Sequence, residues 1–148
     1  MTHGSADRRD GQDHMAMQGA LPGAGAVIDW FGLGRMPRFH DAEVCEHDLE
    51  TGRHGHLKLR TWRMTGRVDP KGFYITDRHA VVTLTFAQVT RLELEDAETP
   101  GIVGSLTLSR LEDGSGHRVV WDSSWGIWGS VEGQGLSLTL EPMDASPL

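Results

Sequence analysis

From residue 40 onward the apolar residues recur at every second position, and no stretch beyond residue 35 keeps a helical period over ten residues. A period of two puts successive side chains on opposite faces of a strand, so such a chain must bury one face of a pleated sheet. Residues 79–89 carry the pattern most strongly, with Val82, Leu84 and Phe86 alternating with Val81, Thr83 and Thr85. Branched and aromatic side chains of this kind suit a half-buried pleated surface. Residues 56–64 alternate too, with Leu57 and Leu59 on one face and Lys58 and Arg60 on the other. Residues 42–49 read as a polar strand suited to a sheet edge, and Phe73-Tyr74-Ile75 as a short strand. Leu92 and Leu94, Leu106 and Leu108, residues 117–121, 127–131 and 136–140 continue the series. Thr51-Gly52-Arg53, Asp69-Pro70-Lys71-Gly72 and Asp113-Gly114-Ser115-Gly116 supply turn chemistry between them. The spacing predicts an all-β fold, an antiparallel β-sandwich or partly open barrel of about eight short strands.

At 148 residues the chain has room for one domain with a real core. Residues 1–25 show no apolar period and read as a flexible leader, 26–142 as the single β domain, and 143–148 as a tail. Arg8 and Arg9 form a twin-arginine pair, but polar residues follow it, and the mildly apolar residues 19–28 are glycine-rich and broken by Pro22. A secretory signal needs a continuous apolar stretch, so the expectation is a cytoplasmic protein. Val27-Ile28-Asp29-Trp30-Phe31 predicts a short helical turn, limited by Gly32, Gly34 and Pro37. No apolar run approaches the roughly 20 residues of a membrane helix.

The net charge of −7 argues against general nucleic-acid binding, which needs a basic face to displace phosphate counterions. That charge is unevenly placed: residues 92–148 hold ten acids against Arg110 and Arg118, while the rest of the chain is nearly neutral. Glu93, Glu95, Asp96 and Glu98 form the densest run. They read either as a solvated strand end and loop or as a surface that steers a basic partner.

Chemistry-bearing groups are sparse. His54-Gly55-His56 has the spacing of a strand-borne metal pair, yet Lys58 and Arg60 follow it and no acid occurs before Asp69, so turn histidines facing solvent are expected. His40, Asp41 and Glu43, with His79 across the sheet, form a candidate polar cluster for acid–base or ligand chemistry; backbone hydrogen bonding at a strand start explains the first two equally well. Cys45 lies among Glu43, Glu46 and Asp48, whose charges disfavour a thiolate, and reads as an inert packing residue; a lone cysteine also excludes an internal disulfide framework. No nucleophile elbow, phosphate-binding loop or zinc-helix motif occurs. No catalytic residue, metal or cofactor is assigned. Trp121, Trp125 and Trp128 fall in WDSSWGIWG, where they serve as sheet packing or, if exposed, as contacts.

Several short blocks in a fixed order carry a resemblance: Phe39-His40-Asp41-Ala42-Glu43-Val44, Gly72-Phe73-Tyr74, Val81-Val82-Thr83-Leu84-Thr85-Phe86-Ala87-Gln88-Val89, the leucines 92 and 94, and Trp125-Gly126-Ile127-Trp128-Gly129-Ser130-Val131. In these the chain resembles the immunity protein 50 group of polymorphic toxin systems, over roughly residues 30–142. The resemblance implies a compact, non-enzymatic domain that neutralises a protein toxin by binding it. Joined to the acidic run, it makes a basic protein toxin the expected partner. The alternative is a small β-barrel enzyme or metal- or ligand-binding domain built on His40, Asp41 and Glu43.

Overall fold

The computed structural model describes residues 21–143. The expected leader lies outside these residues as far as position 20, and the tail from 144. Residues 21–25, assigned to the leader on sequence, belong to the ordered domain, because Leu21 and Ala24 are buried in its core.

Among the described residues one helix, α1 (Ala24–Phe31), precedes eight strands: β1 (Glu43–Asp48), β2 (Gly55–Val68), β3 (Tyr74–Phe86), β4 (Gln88–Glu95), β5 (Ile102–Arg110), β6 (His117–Trp125), β7 (Trp128–Gln134) and β8 (Ser137–Pro142). The strands hydrogen-bond in the order β4-β7-β6-β5-β1-β2-β3-β8, every pairing antiparallel. The sheet is not closed; β4 and β8 are its edges. The predicted all-β antiparallel architecture is the one observed.

The order conceals a two-fold repeat in connectivity. Strands β1-β2-β3 form a meander whose next strand, β4, leaves to pair with β7; β5-β6-β7 form a second meander whose next strand, β8, leaves to pair with β3. The two departures cross at Ala87 and Gly135, where the Ala87 N–H donates to the Gln134 carbonyl at 2.9 Å. A Cβ on Gly135, which has φ +67°, would stand 2.6 Å from the Ala87 methyl, so the crossing admits only small residues. Here the sequence reading needs correction: residues 79–89 are not one strand. The inward phase of Val82, Leu84 and Phe86 breaks at Ala87, where the chain turns, and the next buried residue, Val89, belongs to β4.

Inward side chains of both meanders fill one core, including Leu57, Leu59, Val82, Leu84 and Phe86 from the first and Val103, Leu106, Val119, Trp121 and Val131 from the second. Burying each such side chain contributes roughly 1.5–3 kcal/mol. α1 covers the β8 edge with Ala24, Val27 and Phe31, and the Leu138 N–H donates to the Pro22 carbonyl at 2.8 Å. Gly32, with φ +66°, ends the helix by donating its N–H to Ile28.

The seam between the meanders is narrow, with Glu43 opposite Ile102 as its one ladder position. Residues 38–44 reinforce it. The Asp41 N–H donates to Val103, Val103 to Ala42, Val44 to Gly101 and Leu106 to Arg38, all within 2.8–2.9 Å. Phe39 at φ 58° and Asp41 at φ 66° bend the backbone so that Phe39 enters the core.

β2 and β3 outrun their neighbours. β1 pairs with β2 only from Arg60 to His56, and β8 with β3 only from Ala80 to Thr85. Residues 62–78 therefore extend as a two-stranded arm closed by the turn at Asp69, whose carboxylate accepts the Lys71 and Phe73 N–H groups. Among the described residues, no helix is long and apolar enough to cross a membrane.

Candidate functional site

The outer face of β4-β7-β6-β5 holds a concavity of about 390 Å³. Its residues follow from strand phase. Leu106, Val119, Trp121 and Val131 point inward, so Ser105 and Thr107 on β5, Val120 and Asp122 on β6, and Trp128 and Ser130 on β7 point outward. Register aligns them: Glu93 lies opposite Ser130, Ser130 opposite Val120, and Val120 opposite Thr107; Glu95 lies opposite Trp128. Trp128 is 47% exposed. The tryptophan trio divides: Trp121 is core, its indole N–H donating to the Ile127 carbonyl at 3.1 Å, while Trp125 is exposed at the end of β6.

Three carboxylates border Trp128, and they differ in freedom. Glu93 accepts from the Arg91 guanidinium at 2.9 Å. Asp122 accepts the Ser105 N–H at 2.7 Å and lies over Gly104, where any side chain would collide with it. Glu95 makes no hydrogen bond or ion pair with any described residue and lines the concavity with Trp128, its opposite in the β4–β7 ladder. A carboxylate without a partner next to an exposed aromatic ring suits a cation, which gains from the charge and from the ring quadrupole together.

The predicted acidic run is only half in this place. Glu93 and Glu95 project into the concavity from β4. Asp96 and Glu98 lie on the loop to β5, where Asp96 takes φ 56° and accepts the Thr99 hydroxyl at 3.0 Å. That loop is tied to β1 through His47, whose Nε2 lies 3.1 Å from the Ala97 carbonyl. Sequence reasoning missed Ser105, Thr107, Val120, Asp122 and Ser130. The available signal was the phase of the buried leucines and valines beside them.

The candidate polar cluster does not assemble as a four-residue group. His40 uses Nδ1 to hold the Gly104 carbonyl at 2.7 Å, and its Nε2 lies 3.5 Å from Asp41. Both residues precede β1, so Asp41 does not share a strand face with Glu43; its left-handed backbone belongs to the seam. His79 is on β3, with β2 between it and Glu43. Its ring packs on Trp62 with centroids 5.9 Å apart, and its Nε2 shares a 3.1 Å hydrogen bond with Thr76 Oγ1. Among the described residues no three His, Cys, Asp or Glu side chains gather as a metal site.

Two further expectations change. His56 is not a turn histidine: it lies on β2, half-buried, with Nε2 2.6 Å from Glu46. His54 is exposed just before that strand. Cys45 is exposed rather than packed, because the register shift between Val44 and Glu46 turns it outward, and its thiol reaches the Lys58 carbonyl at 3.5 Å.

Comparison with known proteins gives no match. No family model, curated protein or solved structure corresponds to the chain.

Proposed function

We propose that this chain is a non-enzymatic, immunity-like binding protein that holds a basic protein, a toxin in the reading the resemblance suggests, against the acidic concavity of β4-β7-β6-β5. The observation that carries the reading is Glu95, without a partner among the described residues, opposite the exposed Trp128 in a hollow large enough for a side chain of the partner. Exposed tryptophans at the centre of a polar surface are the residue type most often found to dominate association energy. The surplus of acids in the last third of the chain supports the same reading, since a one-signed field speeds encounter with a basic partner. Binding rather than chemistry also fits the way His40 and Asp41 are engaged in holding the seam.

The test is titration of the full chain with the product of the adjacent gene, followed by tryptophan fluorescence at several salt concentrations. Trp128→Ala weakens association by about 2 kcal/mol or more, and Glu95→Gln by about 1 kcal/mol. Affinity falls as salt rises. Association indifferent to both substitutions overturns this placement of the interface. Turnover of a substrate, lost on replacing His40 or Glu43, turns the assignment toward the enzyme alternative.

A further inference from the structure

The large apolar side chains exposed among the described residues concentrate at two places. Val120, Trp125 and Trp128 lie on or beside the acidic sheet face, and Met64, Val68, Phe73 and Tyr74 lie on the β2–β3 arm. At the arm tip Phe73 is 67% and Tyr74 69% exposed. Single exposed apolar residues are ordinary, but two adjacent aromatic rings on a narrow ribbon are a contact surface. The arm is also the basic part of the molecule: Arg63, Arg67, Lys71 and Arg78 stand against Asp69 and Asp77. Asp77 is neutralised by Arg63 at 2.8 Å, and the Asp69 carboxylate is turned into its own loop. The tip thus presents Lys71 beside two aromatic rings, and the concavity presents Glu95 beside an indole.

The arm is held in a fixed direction. Arg63 chelates Asp77 through Nε and Nη2 and donates from Nη1 to the Phe31 carbonyl at 3.3 Å, which ties the base of the arm to the end of α1. The Trp30 indole N–H donates to the Arg78 carbonyl at 3.0 Å, and the Arg78 guanidinium lies 4.9 Å from the Trp30 ring centroid. Asp69 fixes the turn. An arm already ordered at base and tip loses less conformational entropy on docking.

From this complementarity we infer that the β2–β3 arm of one copy docks in the acidic concavity of a second copy, with Lys71 against Glu95 and Phe73 and Tyr74 against Trp128. The inference rests on the same concavity as the proposed function. It adds an occupant for the absence of a partner: reciprocal docking closes a two-fold dimer, and a basic partner must displace the arm to bind.

Sedimentation equilibrium of the full chain tests this, because Lys71 and Glu95 are both exposed and their substitution leaves the fold intact. The wild type self-associates, and salt weakens it. Lys71→Glu alone and Glu95→Lys alone each weaken the dimer on the order of a hundredfold, by setting like charges together. Mixing the two variants restores a dimer between them, since each arm then meets a concavity of opposite charge. The Phe73→Ala/Tyr74→Ala variant is monomeric. A wild type that stays monomeric overturns the inference, as does a dimer untouched by the single charge reversals or an unrestored mixture. So does a monomer whose arm pellets with phosphatidylglycerol vesicles, which assigns the arm to a lipid surface. A monomer that still binds a basic partner through Trp128 removes the arm from the concavity and leaves the proposed function standing; a Lys71-dependent dimer that binds no basic partner does the opposite.

Discussion

The two four-strand repeats share one connectivity and differ at the link between their second and third strands. In the first, β2 and β3 run to 14 and 13 residues and project past their neighbours; in the second, β6 and β7 stop at 9 and 7 and turn back at Gly126-Ile127. The short link sits inside the domain, with Ile127 buried and its carbonyl accepting the Trp121 indole. The long link stands in solvent. The same supersecondary unit has thus been closed down in one copy, leaving its sheet face open as a concavity, and drawn out in the other as a ribbon. The two surfaces proposed for interaction arise by opposite means: a rigid hollow, and an extension with few lateral contacts.

The largest expected break in this comparison is between equivalent glycines. Gly72 in the long link and Gly126 in the short one both have positive φ, 88° and 81°. A Cβ on Gly72 meets nothing within 4 Å, whereas one on Gly126 collides with the Pro100 carbonyl and stands 2.6 Å from Gly101 Cα. Gly72→Ala therefore costs only the backbone strain, about 1 kcal/mol, and Gly126→Ala about 3 kcal/mol or more, because main chain must move as well. Urea unfolding of the two variants measures the difference. Equal losses would mean that the arm is as tightly built as the domain.

A smaller effect sharpens the contrast. Two-stranded ribbons are marginal alone, and this one depends on its base. Arg63→Ala removes the chelate to Asp77 and the contact with Phe31. Because the pair is partly exposed, the cost to global stability is about 1 kcal/mol or less. Hydrogen exchange in residues 62–78 rises well above that change, while β4 to β7 keep their protection. Uniform loss of protection would show that the arm unfolds only with the whole domain.

The strands were legible in the sequence because alternation survives wherever one face is buried; this is why Leu57, Leu59, Val82, Leu84 and Leu106 all fell on the correct side. The breaks were not. The crossing is marked by a single slip of phase, from Phe86 to Val89 across Ala87 and the polar Gln88, too short to be told from noise within an apolar stretch, and by the small size of Ala87 and Gly135. Residues 74–86 form one strand where two were expected, because the irregularity around Arg78, with φ 54°, lies between polar residues that mask continuity. Of the expected acidic run, Glu93 and Glu95 line the concavity. The rest of its lining depends on register between strands far apart in sequence, which no local pattern encodes, although the phase of Ser130 and Glu132 around buried Val131 already implied that Trp128 faces outward.

The faintest expected difference between the repeats is in pH response. In the first, Arg63 hydrogen-bonds Asp77 and holds its carboxyl below the ordinary carboxylate value. In the second, burial and then the nearby Arg110 push the His117 ring below the ordinary histidine value of 6.5, and its buried Nδ1 has no hydrogen-bond partner among the described residues. Both folded values are depressed, so both contributions are present at high pH and lost on acidification, but in separate windows. Below pH 6.5 the unfolded chain binds a proton at His117 that the folded chain resists, and stability declines until the folded value is reached. Asp77 contributes above the unfolded carboxylate value of 3.8, and its share is lost only as pH falls through the lower folded value. Urea midpoints from about pH 8 to about pH 5 therefore fall for the wild type and flatten for His117→Gln. Exchange in residues 62–78 stays constant across that same range and rises only in stronger acid. A midpoint slope that survives His117→Gln would assign the mild-acid response to another group.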